Sequence, residues 1–230
     1  MARDGIMAMD TATAYRSGMT TAEKREVYHI GRPEIKKKTA YHIVKRAFDF
    51  VLALVGLIVL LIPMLIIALI IVIDSPGGAI FTQERLGKGG KPFVMYKFRS
   101  MTQDAEAEGP RWAVAEDTRC THFGSFLRKT RLDELPQLYN ILRGDMSFVG
   151  PRPERKYFYD EFERYIDGFS YRLLATPGLT GYAQVNGGYD LLPEEKIMYD
   201  VEYIEKQSLL LDTKCLLKTF KLVLTHEGAR

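Results

Sequence analysis

Two adjacent carboxylates, Asp133 and Glu134, stand in the stretch "FLRKTRLDELPQLYNILRGDMSFVGPRPE", with Arg128, Lys129 and Arg131 just before them. Two uses fit that pattern. An acid at a helix start accepts backbone N–H bonds and suits the positive end of the macrodipole, while Pro136 is tolerated in a first turn whose N–H groups lack intrahelical partners. On that account the pair caps a helix from about Asp133 to Leu142 that stops before Gly144. The other use is phosphate chemistry. A carboxylate can attack phosphorus, and its neighbour can hold a divalent cation that offsets phosphate charge. Further turn-rich stretches also bring cations to loops: "KFRSM" carries Lys97 and Arg99, and "GDMSFVGPRPE" carries Arg152 between two prolines. Proline restrains the backbone, so an arginine there loses little freedom on binding and suits bidentate phosphate recognition.

Such groups need a frame, and the most distinctive element is apolar. From Val51 to Ile73, "VLALVGLIVLLIPMLIIALIIVI" has no charged or polar side chain. As a straight helix it would run about 34 Å, enough to cross a bilayer core. It lies too far from the N-terminus, and lacks the cleavage site, for a secretory signal. Lys36, Lys37, Lys38, Lys45 and Arg46 precede it, and Arg85, Lys88, Lys91, Lys97 and Arg99 follow it. Neither flank is the poorer in cations, so the cytoplasmic preference of positive residues picks no side. Pro63 frees the carbonyl of Val59 and kinks a helix there. The residues alone leave two topologies open: a kinked spanning helix, or a re-entrant hairpin broken near Pro63 with both flanks on one face.

The chain has 230 residues and a net charge of +3, which excludes a strongly basic nucleic-acid-binding character. Its two cysteines, Cys120 and Cys215, are not spaced as a pair or a metal motif, and its four histidines are scattered. The pattern predicts a polar arm over 1–34, a basic flank and membrane segment over 35–74, and a further domain over 75–230. Within the last it predicts a small β-hairpin joined by Gly87–Gly90, a polar loop over 103–120 with Trp112, an amphipathic helix from Glu154 to Leu174, a turn-rich 176–188 and helix over 193–225. Phe158, Phe162, Tyr165, Ile166 and Phe169 mark one apolar stripe. Leu209, Leu210, Leu216, Leu217, Phe220 and Leu224 mark another, beside Lys214, Lys218 and Lys221. Both suit a core, and the second also suits a lipid interface.

The ordered set "KRAFDF", "FTQERLGKGGKPFVMYKFRSM", "FLRKTRLDELPQLYNILRGDMSFVGPRPE", "TPGLTGYAQVNG" and "LLLDTKCLLKTF" closely resembles the bacterial monotopic phosphoglycosyl transferases, the bacterial sugar transferase family. The resemblance covers about residues 40–225, and the ending "YDLLPEEKIMYDVEYI…THEGAR" resembles members that initiate exopolysaccharide or capsule units. It implies an α/β, mostly α, fold: a re-entrant membrane hairpin, a small cytoplasmic catalytic domain with amphipathic interfacial helices, and a short β-hairpin. It implies a short-form member on the cytoplasmic face of the bacterial inner membrane. The implied reaction has two steps. A nucleotide sugar, taken as UDP-linked, gives its phosphosugar to an aspartate, and undecaprenyl phosphate then takes it. Asp133 matches the nucleophile, Glu134 the Mg²⁺-binding partner, Arg128 a phosphate-binding arginine and Asp200 a further active-site acid. Lys97, Arg99 and Arg152 are the other expected substrate contacts. The implied partners are the nucleotide sugar, undecaprenyl phosphate and membrane lipid, with no nucleic acid; a homodimer is compatible with the sequence. Three positions depart from the family pattern: Ile62 where many members carry serine before the membrane proline, Gly78 where others carry proline, and Gly188 where many carry arginine. An aspartyl-phosphate phosphatase is disfavoured because no Asp-x-Asp motif occurs. A membrane-anchored scaffold would leave the clustered acids and cations without a role.

Overall fold

A computed structural model describes residues 27–106, 117–187 and 191–225. The arm up to residue 26, Trp112 and Gly188 lie outside the described residues. Residues Thr39–Asp74 form one long helix, α1, with Pro63 inside it. No separate turn interrupts it, so the expected hairpin is not seen as two helices. Asp49, Ala53, Ile67 and Ile71 are buried, and Leu57, Leu60, Met64 and Ala68 pack between them. Their spacing of three and four puts them on one stripe. The opposite side, including Ile58, Val59, Ile62, Leu65, Leu69 and Ile73, is exposed.

That stripe rests on the rest of the chain both before and after the proline. Ala53, Leu57 and Leu60 join Met95, Leu138, Ile141 and Met146, whereas Met64, Ile67 and Ile71 join Phe98, Leu127, Phe123 and Leu135. Both ends of α1 are also tied by polar groups. At its start, Lys45 meets Asp212 at 2.9 Å, and Arg46 donates to the carbonyls of Ile141 and Leu142, each at 2.7 Å. At its finish, Arg99 Nη2 donates to Ile71 O (3.2 Å) and Ser75 O (2.7 Å), and Nη1 to Pro76 O. Ile71 O also accepts from Ser75 N–H, so the guanidinium adds a second donor there and binds the two carbonyls just past the helix end. Gly77, at φ +118°, lies where a Cβ would collide with that guanidinium.

The hairpin forms as expected, from β2 (Ile80–Leu86) and β3 (Pro92–Phe98), antiparallel, with Gly89 and Gly90 at positive φ in the turn. Helix α2 (His122–Thr130) was not anticipated, because cations in "FLRKTR" masked its short apolar face; Leu127 is fully buried. Thr121 caps it, accepting from Gly124 N at 3.0 Å. A 3₁₀ turn, Leu132–Glu134, leads into α3 (Gln137–Arg143), which ends at Gly144 in the left-handed region. Strand β4 (Ser147–Val149) pairs in parallel with β6 (Gly178–Thr180). There Gly150 and Gly178 let two backbones meet, since a Cβ on either would strike the other segment's main chain.

The single helix expected over Glu154–Leu174 is broken into α4 (Lys156–Phe162), strand β5 (Ile166–Asp167) and a 3₁₀ turn over Phe169–Leu174. The α-helix stops after Phe162, β5 pairs in parallel with β1 (Tyr28–His29) from the expected polar arm, and Gly168, at φ +97°, turns the chain from β5 into the 3₁₀ turn. The aromatic stripe became core, with Phe162, Ile166 and Phe169 all at 0 % exposure. The turn-rich "YAQVNG" is helix α5 (Tyr182–Gly187); α6 (Pro193–Lys206) and α7 (Leu209–Thr225) complete the described residues. Leu210, Leu217 and Phe220 on α7 are about two-thirds exposed.

Candidate active site

Three elements converge on the acidic pair. Strand β3 carries Lys97, the 3₁₀ turn after α2 carries Asp133 and Glu134, and the extended run after β4 carries Arg152. Asn140 on α3 sets the first two in register. It is fully buried, donating from Nδ2 to Val94 O (2.7 Å) and accepting from Tyr96 N–H (3.0 Å), much as a neighbouring strand would. Lys97 follows one residue later. Arg131, at φ 59°, turns the chain from α2 into the 3₁₀ turn.

Neither acid is a side-chain cap: no cap hydrogen bond is made at the start of the 3₁₀ turn or of α3. Instead Lys97 Nζ donates to Glu134 Oε1 at 2.9 Å, and Arg152 Nη2 donates to the same oxygen at 2.6 Å. Lys97 Nζ lies 3.7 Å from Asp133 Oδ2, beyond hydrogen-bond reach. Two neighbours in sequence thus have different environments. Burial would raise the Glu134 carboxyl, but the Arg152 and Lys97 charges and hydrogen bonds outweigh it and hold it far below the usual range. Burial, with the Glu134 charge adding to it, raises the Asp133 carboxyl against the pull of Lys97, Arg152 and Arg128.

Of the other expected contacts, Arg128 on α2 is close enough for its charge to act on Asp133, and its Nη1 donates to Cys120 Sγ at 3.1 Å. Arg99 is not in the cluster: its Nη1 and Nη2 cap α1. Asp200 is not in it either, but forms a 2.6 Å ion pair with fully buried Arg172. Pro63 is in the apolar helix. Sequence reasoning missed Asn140 and Arg172, as well as Arg85 and Lys196, which pair with Glu154. A "PRPE" tetrapeptide hinted at Glu154; Arg172, in an aromatic-rich stretch, carried no signal.

Among the described residues, no group of three or more His, Cys, Asp or Glu could hold a metal. The paired carboxylates fit only an ion content with one or two protein oxygens and completing its shell from water and phosphate, which is the habit of Mg²⁺.

The frame is a helix long and apolar enough to cross a membrane, packed along a small domain that sets a buried acidic pair among basic groups. The model of the bacterial sugar transferase family matches residues 40–226, and the chain belongs to that family. It is 43% identical over 190 residues to the "UDP-N-acetylgalactosamine-undecaprenyl-phosphate N-acetylgalactosaminephosphotransferase" of Aeromonas hydrophila, covering 81% of this chain and 45% of that protein. It is 42% identical over 193 residues to the "UDP-glucose:undecaprenyl-phosphate glucose-1-phosphate transferase" of Xanthomonas campestris pv. campestris, covering 81% and 40%. Over 130 residues it is 52% identical to a "Putative undecaprenyl-phosphate N-acetylgalactosaminyl 1-phosphate transferase" of Bacillus subtilis (strain 168), covering 56% of this chain and 73% of that one. The chain therefore spans less than half of two of these relatives and about three-quarters of the third.

Proposed function

We propose that the chain transfers a sugar 1-phosphate from a UDP-linked sugar to undecaprenyl phosphate, initiating an exopolysaccharide, a capsule or a related glycan. The observation that carries this is the asymmetry of the acidic pair: Glu134 is saturated on one oxygen by Lys97 and Arg152, whereas Lys97 stands off from Asp133. Asp133 is then the nucleophile. Its carboxylate oxygen attacks the phosphorus that bears the sugar, and the bond to the nucleoside phosphate breaks, its electron pair leaving with the nucleoside monophosphate. A phosphate oxygen of undecaprenyl phosphate next attacks the same phosphorus and returns the carboxylate. Lys97, Arg128 and Arg152 offset the charge that gathers on the phosphoryl oxygens. Glu134 would hold Mg²⁺, which when bound supplies further charge neutralisation to the diphosphate.

The membrane position follows from α1. One small domain is tied to the helix at Lys45 and again at Ile71, and it packs on the stripe between them. A helix crossing straight through the bilayer would drag that domain into lipid. This supports a re-entrant course with both flanks, and the catalytic domain, on the cytoplasmic side of the inner membrane. The exposed apolar face of α7 adds an interfacial contact.

The test is a half-reaction. Enzyme and UDP-sugar without lipid acceptor should release about one uridine monophosphate per active site and stop, leaving a phosphosugar on the peptide that contains Asp133, as ping-pong chemistry requires. Excess EDTA should abolish the release. An adduct elsewhere, or continued turnover without acceptor, refutes the scheme.

A further inference from the structure

Below the acidic pair lies a buried ionic network that the reaction scheme does not use. Arg172, with a fully buried side chain, donates from Nε to Asp200 Oδ2 at 2.6 Å and from Nη2 to the backbone carbonyl of Arg152 at 2.9 Å. Arg85 on β2 donates to the next carbonyl, that of Pro153, at 3.1 Å, and to Glu154 Oε2 at 3.1 Å. Lys196 on α6 holds the other oxygen of Glu154, also at 3.1 Å. Two consecutive carbonyls are thus gripped by guanidiniums from different elements. The Arg152 side chain, which branches from the chain just before these two carbonyls, reaches Glu134 at 2.6 Å. The ring of Phe169 lies under the Arg172 guanidinium, 5.0 Å from its centroid, and fixes its plane.

Buried ion pairs are poor stabilisers compared with apolar packing, because desolvation offsets much of their attraction. Five charges gathered here, three of them buried (Glu154, Arg172 and Asp200), call for another role, and their geometry supplies one. We infer that Arg172 and Arg85 are positioning residues that set the pose of Arg152, and that Asp200 acts through Arg172 and not on substrate. The inference rests on the proposed phosphate role of Arg152.

A double-mutant cycle tests it, read both as single-turnover uridine monophosphate release and as affinity for uridine diphosphate, which needs no turnover. Arg152→Ala should lose about a hundredfold in rate, the cost of one donor at a developing charge. Asp200→Asn and Arg172→Lys should each lose about tenfold in the Arg152 background, and under twofold in Arg152→Ala. Arg172→Lys keeps the charge and Asp200 itself, so it remains readable if Asp200→Asn does not fold. A direct substrate role for Asp200 would instead multiply its loss in Arg152→Ala, in rate and in affinity, and overturn the inference. If Arg152→Ala alone changes neither quantity, the phosphate role of Arg152 fails, and this inference with it.

Discussion

Asp133 sits where burial, reinforced by Glu134, raises its carboxyl, so the folded chain holds that proton more tightly than the unfolded one. Its ionised form is therefore unfavourable to stability near neutral pH, and the penalty fades as pH falls through the raised value. Asp133→Asn should raise the thermal midpoint at pH 7 while abolishing uridine monophosphate release, and the gain should shrink at pH 4.5. A helix cap would give the reverse, near-silence in activity, because Asn caps about as well as Asp. The half-reaction should also lose rate on the acid side at a pH above the ordinary Asp value of about 3.9, since the nucleophile must be ionised. Glu154 has the opposite sign. Burial would raise it, yet Lys196, Arg85 and Arg172 hold it at about 2, down from 4.5. Its stabilising contribution is complete above 4.5 and is lost as pH falls from 4.5 towards 2. The stability deficit of Glu154→Gln, followed by urea unfolding across that window, should therefore disappear at its acid end.

At the scale of elements, two arginines from either side of the membrane segment turn inward to close helix ends. Arg46 satisfies carbonyls at the end of α3, and Arg99 binds three carbonyls at and just past the end of α1. Arg99→Met keeps the apolar stem but leaves those carbonyls without their charged donor, at a cost of about 2–3 kcal/mol. The thermal midpoint should drop by several degrees, with Arg99→Lys recovering part of it. An arginine serving substrate alone would lower activity and leave the midpoint unmoved. Asn140→Leu should separate β3 from α3, because Val94 O and Tyr96 N–H both lose partners, about 1–3 kcal/mol for each group left unsatisfied in the interior. Its half-reaction should fall further than its stability implies, since Lys97 is the next residue along. Stability and rate measured on the same preparation separate the two effects.

For the whole molecule, α1 serves as a wall and, in the proposed membrane position, as the anchor: one stripe completes two apolar clusters of the domain, and the opposite apolar side is exposed. Between helices in lipid there is little hydrophobic drive, so packing depends on fit, and Ala53 and Gly56 allow close approach to Leu138. Single cysteines near positions 40 and 80 should both label from the cytoplasmic side in intact cells. Labelling from opposite sides excludes the re-entrant course. Pro63→Leu restores a backbone donor and removes the ring clash, so it should move one flank toward the other face in the same assay.

The family, the acidic pair, the basic stretches and the apolar segment were all legible in the sequence because each is local: a long ordered motif, two adjacent acids, a run with no polar side chain. The hairpin was legible for the same reason, its turn being written in Gly87–Gly90. Three things were decided only by the tertiary structure. Arg99 reads like Lys97 in "KFRSM", yet Lys97 lies within β3 and reaches Glu134, whereas Arg99 lies just past the end of that strand and reaches the carbonyls where α1 ends. The aromatic run after Glu154 keeps a helical pattern on paper, but the chain leaves the helix after Phe162 to pair Ile166–Asp167 with Tyr28–His29, and that partner lies more than a hundred residues away. In α1 every side chain from Val51 to Ile73 is apolar, so no polar alternation marks an inner face; the stripe through Ala53, Ile67 and Ile71 exists only because Leu138, Ile141, Phe98 and Leu127 are there to meet it. Composition determined that this segment leaves water, and packing determined which side of it faces protein.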